Sequence, residues 1–294
     1  MRILLICLAS LLAACQVHYV APPPPAIAPE GRAHADLGVI RELASGRTLT
    51  PQALVERLAA APRVLVGEQH DNPDHHALQL WLLRQLAAQR PQGSLLMEML
   101  NPDQQAKVDA AQAAIRAGQP PADLYQALSW QANWDWGVYG ALVTYALRQP
   151  YPLLSANLDR AQIMQIYQQR PMLSGEASTT QQVQATLLAD IRESHCGMLP
   201  EAQMPAMLAV QQQRDRRMAE RLLAAPTPAL LLAGAFHVRK DLGVPLHLQD
   251  LGAGQGNAVL ILAEVGRTVA ADSADYVWYT AAQPEQDHCA QFRR

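Results

Sequence analysis

Six short apolar runs, each bounded by turn residues, constrain the fold of this chain more than any other feature. They have the length and composition of β-strands, and they are continuously apolar rather than alternating. Such strands suit a parallel sheet, because a parallel sheet is buried on both faces. The runs are Arg63–Val66, Ser94–Met97, Pro152–Ser155, Ala229–Ala233, Ala258–Leu262 and, as a last candidate, Tyr276–Tyr279.

Helical stretches separate these runs. They are Pro51–Ala60, His75–Gln89, Pro102–Ala117, Trp136–Arg148 and two more between residues 160 and 225. The alternation of strand and helix predicts an α/β fold, with a mostly parallel central sheet covered by helices on both faces. The interval 101–149 holds no strand candidate, and we interpret it as a helical insertion at one end of the sheet.

The composition is that of one large globular domain. Of the 294 residues, 50% are apolar and 17% are charged, which is enough apolar material for a full core. The formal net charge is only −3. This excludes a polybasic protein that binds nucleic acid through bulk electrostatics, so we expect no nucleic-acid partner.

Residues 1–14 have the layout of a secretory signal peptide. They end in the motif Leu12-Ala13-Ala14-Cys15, which resembles the lipobox of bacterial lipoproteins; an ordinary secretory signal with a chance cysteine is the alternative. No later stretch approaches transmembrane length, so an acylated Cys15 would be the only membrane anchor. Gln16 follows the cysteine, and by resemblance to bacterial lipoproteins this favours the outer membrane, with the folded part facing the periplasm or the cell surface.

Residues 15–42 are expected to form a tether that precedes a domain at residues 43–294. The tether contains the proline-rich stretch Ala21–Pro29. Because proline cannot join a helix or a sheet ladder, we expect an extended spacer that lifts the folded part clear of the lipid surface. A disordered leader is the alternative.

Two cysteines, Cys196 and Cys289, remain after the signal peptide and the lipidated residue are set aside. In an exported protein, two such thiols favour a disulfide bond. Two unrelated buried cysteines are the alternative.

Ionisable side chains follow the predicted strands at their carboxyl ends, the edge at which open parallel sheets bind ligands. Two strands end in the same pattern, a glycine followed three residues later by a histidine, and we expect the glycine to let the backbone turn sharply. Two imidazoles and two carboxylates can hold a divalent metal or act as acid and base around a water. The alternative is that they bond one another and cap loops. These four residues are Glu68, His70, Glu98 and His237.

Further polar residues are expected to support this site: Asp71, His75, His76, Asn157, Arg214 and Asp215. Asp74 is expected to cap a helix that begins at His75. Adjacent residues on a helix point in different directions, so we expect one of His75 and His76 to face the site and the other to face solvent. Either Arg214 or Asp215, on a later helix, can reach the sheet edge and orient a carboxylate.

Aromatic residues are concentrated in the predicted insertion. Trp130, Trp134, Trp136 and Tyr139 lie within ten positions of one another. They form either an apolar wall for a flat ligand or the insertion's own core, and the sequence does not decide between the two.

The motifs and their order resemble those of the ChaN family, the haem-binding lipoproteins of bacterial haem uptake. The resemblance runs from about Leu43 to the C-terminus. The wider superfamily includes the Tiki/TraB proteins and the erythromycin esterases, which share the paired glycine–histidine pattern, and Tiki members are metal-dependent proteases. The matching motifs are residues 67–76, Met97-Glu98-Met99, Asn133-Trp134-Asp135, Asn157-Leu158, His195-Cys196-Gly197, Arg214-Asp215 and Gly234-Ala235-Phe236-His237.

The resemblance implies a homodimer that encloses two stacked haems, with an outer-membrane haem receptor as a further partner. In the family a tyrosine holds each iron, and a histidine and a lysine of the other subunit meet the propionates. Carried over, these roles fall on Tyr139, His237 and Lys240, and we expect the last two to lie near one another. The chain has no C-x-x-C-H motif, so haem binding would be non-covalent.

Two hypotheses of different classes follow. The first is a haem-binding lipoprotein without turnover, which the resemblance favours. The second is a metal-dependent esterase or peptidase that uses the two carboxylates and two imidazoles at the strand ends.

Overall fold

The computed structural model describes residues 20–287, 289 and 290, so the predicted signal peptide and Cys15 lie outside the described residues. The described part contains one sheet. Its strands are β1 (Ile40–Glu42), β2 (Thr48–Leu49), β3 (Arg63–Glu68), β4 (Ser94–Met97), β5 (Leu153–Ser155), β6 (Ala229–Gly234), β7 (Asn257–Glu264) and β8 (Tyr276–Thr280). Their order across the sheet is β2-β1-β8-β7-β3-β6-β4-β5. The six strands from β8 to β5 run parallel, and β1 pairs antiparallel with both β2 and β8.

Helices cover both faces of this sheet. They are α1 (Pro51–Ala60), α2 (Pro73–Gln89), α3 (Gln105–Arg116), α4 (Leu124–Ala127), α5 (Trp136–Leu147), α6 (Arg160–Gln169), α7 (Gln181–Ser194), α8 (Met204–Ala224), α9 (Ala235–Val238) and α10 (Val244–Asp250). Short 3₁₀ turns at Pro102–Gln104 and Glu201–Gln203 lead into α3 and α8.

Successive side chains of each central strand enter two different cores, because side chains alternate along a strand. In β3, Val64 and Val66 pack with α1, α2 and α5, whereas Leu65 packs with α8 and α10. All three side chains are fully buried. The continuous apolar character of the predicted strands is therefore explained by a sheet that is covered on both sides.

The predicted α/β class, with a mostly parallel sheet between helices, is confirmed, and all six predicted strands are present. The interval 101–149 contains α3, α4 and α5 and no strand. Three helices, not the predicted two, lie between residues 160 and 225. The chain bends between α7 and α8 at Cys196 and Gly197, where φ is +59° and +66°. The sheet also contains two short strands, β1 and β2, that the sequence patterns did not predict.

The proline-rich stretch is docked on the domain, so the predicted free spacer is wrong for these residues. Oδ1 of Asp74 accepts hydrogen bonds from the backbone N–H groups of Ile27 at 2.5 Å and Ala28 at 3.3 Å. Nε1 of Trp81 donates to the carbonyls of Ala21 and Pro22, each at 3.0 Å. Because the prolines keep this segment out of any strand pairing, side chains of α2 provide hydrogen-bond partners for its backbone N–H and carbonyl groups.

The folded part also begins earlier than residue 43, where the sequence placed its start. Glu30 forms an isolated β-bridge with Ala282, and β1 adds a sheet strand at residues 40–42. The cap of α2 differs from the expected one as well. The helix begins at Pro73, and the side chain of Asn72 accepts from the N–H of Asp74 at 2.9 Å. Asp74 is left free to bind the N-terminal segment.

Cys196 and Cys289 form the predicted disulfide bond, across a sequence separation of 93 residues. It ties the C-terminal segment to the bend between α7 and α8. Among residues 20–287, no helix combines the length and apolar character needed to cross a bilayer.

Replacing Asp74 by alanine should release the docked segment. The substitution removes charge-assisted hydrogen bonds to two backbone N–H groups, and we expect a loss of about 1–3 kcal/mol in the free energy of unfolding. Limited proteolysis should then cut residues 20–30 faster than in the wild type. Asp109→Ala is the matched control, because Asp109 is exposed on α3. Equal cleavage rates in Asp74→Ala and Asp109→Ala would contradict the docking.

Candidate functional site

The order of the strands brings the ionisable side chains together. β6 lies between β3 and β4 in the sheet. In the register of these strands, Glu68 is paired with Gly234, and Met97 is paired with Leu232. Glu98 directly follows β4, and His237 lies on α9, which begins immediately after β6. The carboxyl ends of three neighbouring parallel strands therefore deliver these groups to one edge of the sheet.

The two glycines of the repeated pattern allow close packing, not a sharp turn. Neither Gly67 nor Gly234 has a positive φ. A Cβ atom at Gly67 would lie 2.5 Å from Cγ2 of Val238, and one at Gly234 would lie 2.8 Å from Nε2 of His70. Any side chain at these positions would push α9 and the imidazole away from the strand ends, so the expected role of the glycines is corrected.

Glu98 and Asp215 hold the His237 imidazole between them. Nε2 of His237 lies 3.3 Å from Oε1 of Glu98, and its Nδ1 lies 2.5 Å from Oδ1 of Asp215 on α8. The other oxygen of Glu98 accepts from the backbone N–H of Gly234 at 2.8 Å. All three ionisable side chains are buried. His237 is thus enclosed and has both ring nitrogens engaged.

Glu68 is the centre of the second half of the cluster. Its Oε1 lies 2.9 Å from Nδ1 of His70 and accepts the hydroxyl of Tyr139. Its Oε2 accepts from Nε2 of Gln79 at 2.5 Å and lies 3.3 Å from Nδ1 of His76. The two halves meet where Nε2 of His70 lies 4.0 Å from Oε2 of Glu98.

The resulting ionic cluster, defined as Glu68, Glu98, Asp215, His70, His76 and His237, pairs three carboxylates with three imidazoles. Burial alone would raise the pKa of Glu98, but the charge of His237 and the hydrogen bonds lower it to about 2. Burial alone would lower the pKa of His237, but Glu98 and Asp215 raise it to about 10. The pKa of Glu68 is lowered and those of His70 and His76 are raised by the same balance. The imidazolium ions therefore neutralise the carboxylates.

Two of the predicted supporting residues position the cluster. Nδ2 of Asn157 donates to the backbone carbonyl of Glu98 at 2.9 Å. Nε2 of His76 lies 2.9 Å from the carbonyl oxygen of His70. Of the alternatives on α8, Asp215 reaches the cluster, whereas Nε of Arg214 is buried with no hydrogen-bond partner among the described residues.

The expectation that His75 or His76 faces solvent is wrong, since both are buried. Nδ1 of His75 accepts from the N–H of Gln69 at 2.8 Å, and its Nε2 lies 2.9 Å from Oγ1 of Thr280. Burial lowers the pKa of His75 to about 3, so this imidazole is neutral. Asp71 is exposed and accepts from Nε2 of Gln69 at 3.0 Å.

The aromatic group of the insertion is mainly a core. The ring centroids of Trp130 and Trp136 are 5.2 Å apart, and those of Trp134 and Tyr139 are 6.0 Å apart. Trp130 and Tyr139 are buried in the core that α5 shares with the sheet, and Trp134 and Trp136 are partly buried against it. One edge of this group meets the site, where Trp134 packs edgewise on His70 at 4.8 Å.

A surface cavity of about 720 Å³ opens beside the exposed edge of the cluster. It lies between the loops that follow β3, β6 and β7. The side of the cluster that faces it includes Glu68 and His70, and the His70 side chain is 40% exposed. The cavity therefore gives a ligand access to one imidazole of the otherwise buried cluster.

The carboxylates and imidazoles do not fit a divalent metal as they are arranged. Among the described residues, no group of three or more histidine, cysteine, aspartate or glutamate side chains has metal-binding geometry. Each carboxylate is instead neutralised by an imidazolium.

Comparison with known proteins identifies the family. A family model described as haem-binding uptake, Tiki superfamily, ChaN matches residues 54–248. The chain belongs to this ChaN family. The structure of ChaN of Campylobacter jejuni, described as showing cofacial haem binding, is similar over 82% of this chain and 95% of its own, with 29% identity and a TM-score of 0.74.

Two more solved structures show weaker likeness, which carries no argument. An erythromycin esterase variant in its open conformation has 11% identity over 86% of each chain and a TM-score of 0.46. A succinoglycan biosynthesis protein has 9% identity, covers 84% of this chain and 94% of its own, and has a TM-score of 0.47. No curated protein matches the sequence.

The three residues that the ChaN resemblance assigned to haem lie in three different environments within this chain. Tyr139 is 1% exposed, and burial, together with the neighbouring Glu68 carboxylate, raises its pKa, which disfavours a phenolate. His237 is enclosed in the cluster. Lys240 is exposed, and its Nζ lies 2.5 Å from Oδ1 of Asp275. The assignment of His237 and Lys240 to the propionates of a haem on the other subunit stays a prediction.

Sequence reasoning missed several residues of the site. Gln79 donates to Glu68 from the second turn of α2, and Phe236, Arg239 and Arg267 line the cavity. Gln79 could have been found, since it lies three residues after His76 on the same helix face. Arg267 follows a turn after β7, and no motif marks it.

The Asp215→Asn substitution tests the charge balance of the cluster. A raised pKa of His237 stabilises the fold fully below about 6.5, and the contribution is lost as the pH rises through about 10. Removing the Asp215 charge should cost about 3 kcal/mol in the free energy of unfolding at pH 6.5. The fall in stability between pH 6.5 and 10 should also become shallower than in the wild type.

Urea unfolding across this pH range measures both effects, with Asp109→Asn as the exposed control. Parallel pH profiles for the wild type and Asp215→Asn would contradict a protonated His237. The same conclusion would follow if NMR found the wild-type imidazole neutral at pH 7.

Proposed function

We propose that this protein is a lipid-anchored haem-binding lipoprotein of haem uptake, which carries haem without turnover. The observation that supports it most is the ChaN family match over residues 54–248. The likeness to the Campylobacter jejuni protein, described as binding haem, supports the same function. The chain lacks a C-x-x-C-H motif, so the bond to the protein would be non-covalent.

The cavity beside His70 has room and chemistry for such a ligand. Haem is a flat apolar ring system with two carboxylates, and ligand sites of this kind are mostly apolar with a few placed polar groups. The volume of about 720 Å³ lies in the range of small-molecule sites. Apolar residues from β7 form one wall, and two arginines lie on the rim.

We place the protein at the outer membrane, held by an acylated Cys15 and facing the periplasm or the cell surface. The lipobox-like motif and Gln16 support this placement. The disulfide between Cys196 and Cys289 is in keeping with an oxidising compartment. A homodimer and an outer-membrane haem receptor complete the proposal, and exposed Phe236 at the cavity offers apolar surface to a second copy.

Haem titration tests the proposed function. Adding ferric haem to the purified full-length chain should shift the Soret band and saturate near one haem per chain. The heat-denatured protein serves as the control for non-specific binding. An unshifted Soret band would contradict haem binding. In that case, metal-dependent cleavage of an ester or peptide would favour the hydrolase alternative.

Labelling with a fatty-acid analogue tests the anchor. Cys15→Ser should abolish the label and move the protein from the membrane fraction to the soluble fraction. Cys7→Ser is the matched control, because Cys7 leaves with the signal peptide and should change neither result. Retained label in Cys15→Ser would show that the anchor is elsewhere.

A further inference from the structure

The docked N-terminal segment fixes the point at which the chain enters the folded domain. Oε1 of Gln52 on α1 accepts a hydrogen bond from the backbone N–H of Val20 at 3.2 Å. Oε1 of Gln85 on α2 accepts from the N–H of Ala21 at 3.0 Å. Val20 also packs against the core beneath these helices. The chain therefore enters the domain at Val20, on the surface formed by α1 and α2.

Only a short link separates this point from the proposed site of acylation. Val20 follows Cys15 by five residues, and five residues span about 18 Å when fully extended. A compact domain of this length has a radius of gyration of about 18 Å, so its diameter is well beyond the reach of the link. An acyl group on Cys15 would therefore keep the surface of α1 and α2 on the side of the domain nearest to the bilayer.

The sheet separates this surface from the opposite helical layer. α1, α2 and α5 pack on one face of the sheet, and α8 and α10 pack on the other. α6 packs on α8 and so belongs to the second layer. Because the link is shorter than the domain is wide, α6 would be turned away from the lipid.

A groove with two cationic side chains lies in the layer that the link holds near the bilayer. It has a volume of about 430 Å³ and is formed by α2 and α5. Arg84 of α2, next to Gln85, and Arg148, which directly follows α5, line it. Both arginines are exposed, and neither forms an ion pair with a described residue. None of the described residues that line the groove is acidic, so the groove attracts an anion.

Aromatic side chains accompany the two arginines. Trp136 and Tyr145 of α5 line the same groove, and the guanidinium carbon of Arg84 lies 5.3 Å from the centroid of the Tyr145 ring. Tryptophan and tyrosine are enriched at membrane interfaces, because each has an apolar body and a polar end. Arginine binds phosphate through paired hydrogen bonds. The groove therefore combines the two chemistries that a phospholipid head group and its glycerol region require.

We propose that the surface of α1, α2 and α5 docks on the bilayer, with the head group of an anionic phospholipid in the groove at Arg84 and Arg148. The inference rests on the proposed anchor at Cys15 and goes beyond it, since it assigns an orientation and a lipid contact to the folded domain. It replaces the expected spacer that lifts the domain clear of the lipid, because that segment is docked on α2.

Photo-cross-linking of the full-length acylated protein in vesicles tests the orientation. Benzoylphenylalanine takes the place of Ala88, which is exposed one turn after Arg84 on α2, or of Met172, which is 96% exposed beyond α6. In vesicles of phosphatidylethanolamine with phosphatidylglycerol, the Ala88 position should cross-link to lipid and the Met172 position should not. Equal lipid cross-linking at the two positions would overturn the orientation.

Arginine variants test the head-group contact. Among the lipids cross-linked at the Ala88 position, phosphatidylglycerol should exceed its share of the vesicle. Arg84→Gln and Arg148→Gln should each lower this enrichment, by about fivefold at most, the factor that one arginine contributes near an anionic surface. Arg160→Gln is the matched control, because Arg160 is exposed on α6. If both groove variants behave like Arg160→Gln, or if phosphatidylglycerol is not enriched, the head-group contact is wrong.

A lengthened link separates the effect of its length from that of the arginines. A Gly/Ser insertion between Val17 and His18 removes the limit on reach. In vesicles of phosphatidylethanolamine alone, the insertion should lower cross-linking at the Ala88 position to the level at the Met172 position. An unchanged preference for the Ala88 position would contradict the length argument. If the wild-type protein carries no acyl label, the anchor itself fails and the orientation fails with it, whereas equal cross-linking in an acylated protein leaves the anchor intact.

Discussion

The packing at the carboxyl ends of the central strands depends on one interaction, the neutralisation of three buried carboxylates by three imidazoles. β3, β4 and β6 each deliver a charged group to one place, and α8 delivers Asp215. An isolated carboxylate in such a position would be strongly destabilising, because burial penalises charge. The histidines allow these strand ends and helices to pack against one another. In the two glycine–histidine patterns, the glycine supplies the space and the histidine supplies the charge.

The positions of the strand ends could be predicted from the sequence, because a continuous apolar run followed by polar residues is a pattern of neighbouring residues. Convergence of Glu68, Glu98, His70 and His237 also followed from one rule, that parallel strands end at the same edge. What the sequence could not give is the order of strands, since it depends on long-range pairing. Asp215 was one of two candidates on α8, and only helix rotation in the packed fold decides that it, and not Arg214, meets His237.

Other misses have the same origin in tertiary contacts. The prolines of residues 22–25 correctly indicated that this stretch joins no ladder, but not that Asp74 and Trp81 would receive it. The two-residue strand β2 and three-residue strand β1 carry too little pattern to be found locally. Helix geometry alone predicted that one of His75 and His76 would face solvent. Both are buried, and Nε2 of His75 lies 2.9 Å from Oγ1 of Thr280 in β8, a contact that only the packed fold provides.

The docked N-terminal segment sets a limit on how the chain can be shortened. Ala28 is fully buried, and Asp74 is buried with Oδ1 committed to this segment. A version that starts at residue 43 would remove the hydrogen-bond partners of that carboxylate and expose the indole of Trp81. A shortened version of the domain should therefore keep every residue from Val20 onward.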